Sequence, residues 1–214
     1  MVASAGETQG NGKIRALILP FLFWGLPMSW YCDIAPGHPV HGPYHDEEYG
    51  FPLADERALF ERLCLEIFQA GLSWLIVLKK RPGLAAAFDR FEPDVVAAYG
   101  EAEIARLLAD ERIIRNRRKV AAVIENARRL QALRRAHGSF AGWLEAHHPR
   151  PKDEWVRLFK RHFVFMGAEV VNEFLMSVGI LPGAHRDTCP AYARIAECRP
   201  PWMTEPGPED PGGQ

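Results

Sequence analysis

Between residues 117 and 135 the apolar side chains Val120, Val123, Ile124, Ala127, Leu130 and Leu133 recur at intervals of three or four. That spacing puts them on one face of an α-helix, whereas a strand would need alternation at every second position. Leu59, Leu63, Ile67 and Ala70 repeat the pattern over 56–70, behind Asp55 as a candidate N-cap and ahead of Gly71 as a stop. Further helices are predicted over 83–88, 93–99, 101–108, 139–147, 153–161 and 167–179, with a tight connection at 110–116. Residues 72–78 are apolar enough to pass for a strand. Flanked by helices, they read as the start of another helix, ending before Pro82 because proline removes a backbone donor. Residues 33–54 read as ordered loop with short helical turns, and the chain turns Pro- and Gly-rich again from Pro182. Repeats and convincing strands are missing, so the fold class is all-α.

The 214 residues, 48% hydrophobic and 25% charged, suffice for one domain with a sizeable core. The formal charge of −1 shows no global basic field, so any nucleic-acid partner must be met by a local patch. Four cysteines, Cys32, Cys64, Cys189 and Cys198, are too few for a disulfide scaffold. The expectation is a reducing, cytoplasmic setting, with the thiols free or on a metal. Lys13 and Arg15 before the apolar run 16–28 loosely mimic a signal peptide. Pro20 and Pro27 interrupt that run, and it is too short to span a bilayer. The preferred reading is a translation start at Met28, with an over-extended segment before it. No membrane association is expected.

Four constellations could carry chemistry. Cys32 and His45 lie near the start of the core; His185 and Cys189, four residues apart, lie near its end. Cys2His2 is a tetrahedral donor set of the kind that makes closed structural zinc sites. His41, His147 and His148 compete for the role, and a buried cysteine among surface histidines is the plainer alternative. Glu66 sits at the border of the apolar face of its helix. It is either a solvated edge residue, paired with Arg62 one turn earlier, or a buried acid with a purpose. Tyr44, Tyr49 and Trp74 could cover a flat, cationic ring, or serve as ordinary core. Residues 106–135 hold ten Lys or Arg against three Asp or Glu, with Arg112, Arg115, Arg117, Arg118 and Lys119 densest. This is either a phosphate-binding turn at a helix N-terminus or a solvated charged face.

The motifs Tyr-His-Asp-Glu-Glu-Tyr-Gly at 44–50, Leu-Glu-Ile-Phe-Gln-Ala-Gly-Leu-Ser-Trp at 65–74 and Val-Leu-Lys-Lys-Arg at 77–81 are long and specific. Ile-Ile-Arg-Asn-Arg-Arg-Lys at 113–119, Phe-Val-Phe-Met-Gly at 163–167, His185 and Cys189 complete the series. In this order they resemble the DNA-3-methyladenine glycosylase I family, over about residues 30–197. The resemblance implies a helix-hairpin-helix DNA glycosylase domain over 30–197. An extension at 1–29 precedes it, and the Pro- and Gly-rich stretch at 198–214 reads as a disordered tail. It implies one structural zinc on Cys32, His45, His185 and Cys189. Glu66 would hydrogen-bond the excised base, and Tyr44, Tyr49 and Trp74 would stack on it. Arg115, Asn116, Arg117 and Lys119 would hold the DNA backbone.

Some positions depart from that pattern. Tyr49 stands where the family often has Trp, Arg112 where it usually has Gly, and His41 where an aromatic is common. Ile67 and Phe68 replace a smaller and a polar residue beside the pocket. Asn172 and Glu173 replace apolar or aromatic residues. No Asp base is recognisable after the hairpin, which suits a labile substrate. The implied reaction is hydrolysis of the N-glycosidic bond of 3-methyladenine, flipped out of double-stranded DNA, by a monomer. The alternatives are a non-catalytic helix-hairpin-helix damage binder, a glycosylase for another alkylated base, and a zinc-stapled nucleoside-binding protein.

Overall fold

A computed structural model describes residues 30–204. The extension at 1–29, with the proposed start at Met28, and residues 205–214 lie outside the described residues. Eleven α-helices follow one another, and there is no strand among the described residues. They are α1 Trp30–Ile34, α2 His41–Glu47, α3 Glu56–Gln69, α4 Trp74–Ala87, α5 Pro93–Ala97, α6 Glu101–Ala109, α7 Arg117–His137, α8 Phe140–Glu145, α9 Lys152–His162, α10 Ala168–Ser177 and α11 Pro190–Glu197. Short 3-10 turns occupy Asp89–Phe91 and Pro201–Met203.

The starts obey local chemistry. The Asp55 carboxylate accepts from the Ala58 N–H at 2.8 Å and opens α3. Asn116 does the same for Lys119 and α7 at 3.2 Å, and Ser139 for Gly142 and α8 at 2.8 Å. Each cap satisfies one of the donors a helix N-terminus leaves unpaired, contributing about 1 kcal/mol. Gly71, at φ +79°, turns the chain out of α3, a conformation a side chain would strain.

α3 is the central helix. It packs against α4, α7, α8 and α10, so it is covered on more than one side. Leu59, Phe60, Leu63, Cys64, Leu65, Ile67 and Phe68 are all fully buried. A helix surrounded in this way also buries whatever charge it carries, and here that is Arg62 and Glu66. The edge position considered for Glu66 is therefore not where it lies. α7 packs on α3, α5, α6 and α8 through the stripe read above, which is buried throughout. Beneath α8–α10, the rings of Phe140, Trp143, Phe159, Phe163 and Phe174 meet at centroid distances of 5.1–5.9 Å. Each such burial stabilises by roughly 1.5–3 kcal/mol.

Three expectations need correction. The helix placed before Pro82 and the one placed over 83–88 are a single helix, α4. An interior proline costs about 3 kcal/mol. Leu84 and Ala87, buried beyond it, continue the face begun by Val77 and Leu78 and offset that cost. Gly83 lets this helix touch the 110–116 turn, since a Cβ there would lie 2.6 Å from the Arg112 carbonyl oxygen. Second, α11 forms in a stretch read only as Pro- and Gly-rich, with Pro190 at its first turn, the one helical position that tolerates proline. Third, the disordered tail cannot begin at 198. Residues 201–203 form a turn, and the Trp202 ring lies 6.1 Å from that of Tyr192. No helix among the described residues is long and apolar enough to cross a membrane.

Candidate active site and metal-ligand cluster

Cys32 from α1, His45 from α2, and His185 and Cys189 from the segment before α11 converge, all four buried. Cys32 Sγ lies 3.6 Å from His185 Nδ1; Cys189 Sγ lies 3.5 Å from His185 Nδ1 and 3.8 Å from His45 Nε2. A tetrahedral ion with bonds of about 2.3 Å to sulfur and 2.0–2.1 Å to nitrogen would set each S···N edge at about 3.6 Å. The donors stand at nearly that spacing. Both imidazoles are oriented from behind: His45 Nδ1 meets the Asp46 carboxylate at 2.7 Å, and His185 Nε2 meets the Tyr49 carbonyl at 2.7 Å. Such outer partners fix the tautomer of a ligating histidine. Burial also holds His185 below its usual pKa, in the neutral form a cation needs. The four residues form one cluster able to hold a metal ion, and the competing His41, His147 and His148 are not part of it.

Beside this cluster lies a small apolar group of Tyr44, Tyr49, Leu78 and Ala184, flanked by Tyr31 and Trp74. The Tyr44 ring is 5.0 Å from that of Trp74 and 5.7 Å from that of Tyr49; Tyr31 sets its edge 5.5 Å from Tyr49. Facing them is Glu66, 3% exposed. Its carboxylate makes no hydrogen bond among the described residues. Burial, and then the charge of Glu173, push its pKa well above the usual carboxylate range, while Arg62 pulls the other way. Burial raises the Tyr44 and Tyr49 hydroxyls as well, so both remain protonated.

Arg62, one turn before Glu66, directs its hydrogen bonds elsewhere. It donates to the Tyr44 hydroxyl at 3.0 Å and to Glu48 at 2.9 Å, and its guanidinium lies 4.7 Å from the centre of the Tyr44 ring. Since Tyr44 Oη accepts from Arg62, the hydroxyl proton is free to point towards a guest. Arg81 binds the other oxygen of Glu48 at 2.7 Å and Glu61 at 2.8 Å, which locks the network. Ile67 and Phe68 belong to the main core, where the Phe68 ring lies 5.8 Å from that of Phe88. Neither belongs to the aromatic group of Tyr44 and Tyr49. His41 lies against the rim, its Nδ1 3.2 Å from the Tyr31 hydroxyl.

The basic turn between α6 and α7 is only partly available to a phosphate. Arg115 and Arg117 are exposed, in surface pairs with Glu111 at 3.7 Å and Glu101 at 2.9 Å, which are weak and readily exchanged. Asn116 spends its side-chain oxygen as the α7 cap. Lys119 does not belong with them. It is 4% exposed, and its ammonium donates to the carbonyls of Phe68 and Ala70 at 2.7 and 2.6 Å, tying down the end of α3. Burial lowers its pKa accordingly. Lys119→Met is expected to lower thermal stability by about 2 kcal/mol, the loss of two charge-assisted bonds to buried carbonyls. The salt slope of DNA binding should stay unchanged. Arg118→Ala, at an exposed position with no ion pair among the described residues, should instead flatten that slope by about one unit without unfolding. Salt titrations of both variants separate anchor from contact.

Reasoning on the sequence missed Arg62 as the support of Tyr44, and it passed over Tyr31, whose adjacency to the candidate ligand Cys32 was the available signal. Glu173 was noted only as a departure. Yet its carboxylate accepts from the Tyr49 hydroxyl at 3.2 Å.

The all-helical scaffold thus holds a buried acid, Glu66, close to a set of aromatic rings. Likeness to known proteins gives the class: they are DNA glycosylases. Residues 34–156 match the family model described as methyladenine glycosylase. DNA-3-methyladenine glycosylase 1 of Escherichia coli (strain K12) is 34% identical over 169 residues, which cover 70% of this chain and 90% of that protein. DNA-3-methyladenine glycosylase of Haemophilus influenzae is 31% identical over 182 residues, covering 76% and 98%. The solved structure of 3-methyladenine DNA glycosylase I from Staphylococcus aureus, a study of 3-methyladenine recognition, superposes with a TM-score of 0.68 at 31% identity, covering 76% of this chain and 96% of that one. The chain belongs to the methyladenine glycosylase family.

Proposed function

We propose that this protein removes 3-methyladenine from double-stranded DNA by hydrolysing its N-glycosidic bond, acting as a cytoplasmic monomer. The observation that carries this reading is Glu66, buried beside Tyr44, Tyr49 and Trp74 and left without a hydrogen-bond partner among the described residues. A carboxylate buried there costs stability unless it is paired, and a cationic guest with an N–H to donate offsets that cost.

The substrate base must leave the helix to reach this depth. N3-alkylated adenine carries a positive charge, so the rings attract it through their faces. Glu66, ionised against that charge, accepts a hydrogen bond from the adenine edge. Arg62 keeps Tyr44 in place. Water adds to C1′ of the sugar as the C1′–N9 bond breaks. The bonding pair moves onto the base and cancels its charge, and the proton shed by the water passes to solvent. The leaving group is already activated, so no strong general base is needed. Arg115 and Arg117 hold the backbone through phosphate contacts, which position without reading sequence.

The Cys2His2 cluster holds one zinc ion in a closed, structural site. It ties α1 and α2 to the segment before α11. The direct test is chromatography of bases released from methylated duplex DNA, with the zinc content of the same sample measured. Free 3-methyladenine is the expected product; intact DNA with the protein bound would make the chain a damage binder instead.

A further inference from the structure

Glu173, on α10, brings a second carboxylate to the aromatic group. α10 packs directly on α3, which carries Glu66. One Glu173 oxygen accepts from the Tyr49 hydroxyl at 3.2 Å, and the other lies 3.5 Å from the Asn172 amide. Tyr49, buried, feels the charge of both Glu173 and Glu66. Tyr49 and Glu173, two of the positions that depart from the family pattern, are thus one hydrogen-bonded unit. The charged and titratable groups facing Glu173 are Tyr49 from the loop after α2, Glu66 from α3, Glu169 from its own helix and Lys152 from α9. Arg62, the buried cation that acts on Glu66, is already engaged with Tyr44 and Glu48. Two acids therefore act on the aromatic group, and among these groups no buried cation is left uncommitted.

We propose that Glu173 is a specificity-determining acid of the base site, setting how strongly the recess prefers a purine carrying positive charge over a neutral purine of the same shape. The inference rests on the function proposed above. A lone Glu66 would recognise the hydrogen-bonding edge of the base. A second carboxylate adds attraction that depends on charge and hardly on shape, in a site where water screens little. Like charges so placed cannot both ionise cheaply while the recess is empty. Burial raises both acids; the charge of Glu173 raises Glu66 further, and that of Glu169 raises Glu173 against the hydrogen bonds it accepts from Tyr49 and Asn172. The pair consequently takes up a proton as pH falls from neutrality and loses its hold on a cation. A cationic guest restores full ionisation and expels that proton.

The test compares wild type with Glu173→Gln, whose amide keeps the shape and can still accept from Tyr49. Binding of 3,9-dimethyladeninium, a permanent cation, and of neutral 9-methyladenine is measured by calorimetry in buffers of different ionisation enthalpy. The ratio of the two Kd values should shrink about 10-fold in Glu173→Gln, and proton release on binding the cation should fall. In excision assays KM should rise about 10-fold while kcat changes less than about 3-fold. The acidic limb of kcat/KM should move to lower pH, because Glu66 loses a repelling neighbour. Glu173→Asp should restore most of the charge preference. A folded Glu173→Gln protein with an unchanged Kd ratio and an unchanged pH limb overturns the inference. If that variant does not fold, Glu173→Ser carries the same readouts. A wild-type protein that releases no 3-methyladenine refutes the proposed function itself. Excision by wild type together with an unaltered Glu173→Gln refutes only the role of Glu173.

Discussion

Glu66→Gln should reduce release of 3-methyladenine from methylated DNA about 100-fold at neutral pH, equivalent to ~2.7 kcal/mol of lost transition-state stabilisation. The amide keeps the shape of the side chain but forfeits the charge that a buried carboxylate offers a cationic base. Charge-assisted bonds are the strong ones in a site of this kind. The same substitution should make the protein more stable, which separates it from a folding defect. Burial and Glu173 raise the Glu66 pKa. The folded protein therefore holds this proton more tightly than the unfolded chain. Its contribution to stability is complete below the ordinary carboxylate value and is lost as pH rises through the raised one. The variant has no such proton to lose. Its advantage in thermal unfolding should be smallest near pH 4 and widen towards pH 8. An excision rate equal to wild type would remove Glu66 from the reaction. A thermal midpoint lower than wild type at pH 8 would contradict the burial argument.

The second large effect concerns the cluster. Cys189→Ala should abolish stoichiometric zinc binding and lower the thermal midpoint by about 10 °C or more, corresponding to roughly 3 kcal/mol or above in a chain of this size. Cys189 Sγ contacts both His45 and His185, so its loss opens two edges of the donor set at once. Chelation of the wild-type protein should reproduce the shift, whereas Cys64→Ala should leave metal content unchanged, because that thiol is buried in the main core outside the cluster. Elemental analysis beside thermal unfolding checks both; a full complement of zinc in Cys189→Ala would refute the ligand set.

The helical period made α3 and α7 legible because both keep an apolar spacing over several turns. The fate of the proline in α4 was not legible, since local chemistry says stop. Only the burial of Leu84 and Ala87 says continue. Glu66 could be flagged from its place beside an apolar stripe. That it lies buried follows from the neighbours α3 acquires on more than one side, which no single helix encodes. The inward turn of Lys119 is hidden for the mirror-image reason. In a run of basic residues nothing local distinguishes the one whose stem turns inward to carbonyls at the end of α3. Arg62 and Glu173 reach their partners across 18 and 124 positions of chain respectively. Pairings so distant in sequence exist only once the helices are packed.

Tyr44, His45 and Tyr49 fall within six consecutive residues, and His185 is tied to the Tyr49 carbonyl. Two functions thus share one short ribbon of backbone: its histidine faces the thiols, while its rings face the acids. A single inserted or deleted residue between 45 and 49 would throw the two halves out of phase, and neither could be repaired without spoiling the other. In a library of length variants this ribbon should be the least forgiving segment of the protein, although nothing in its polar, glycine-ended composition marks it as rigid.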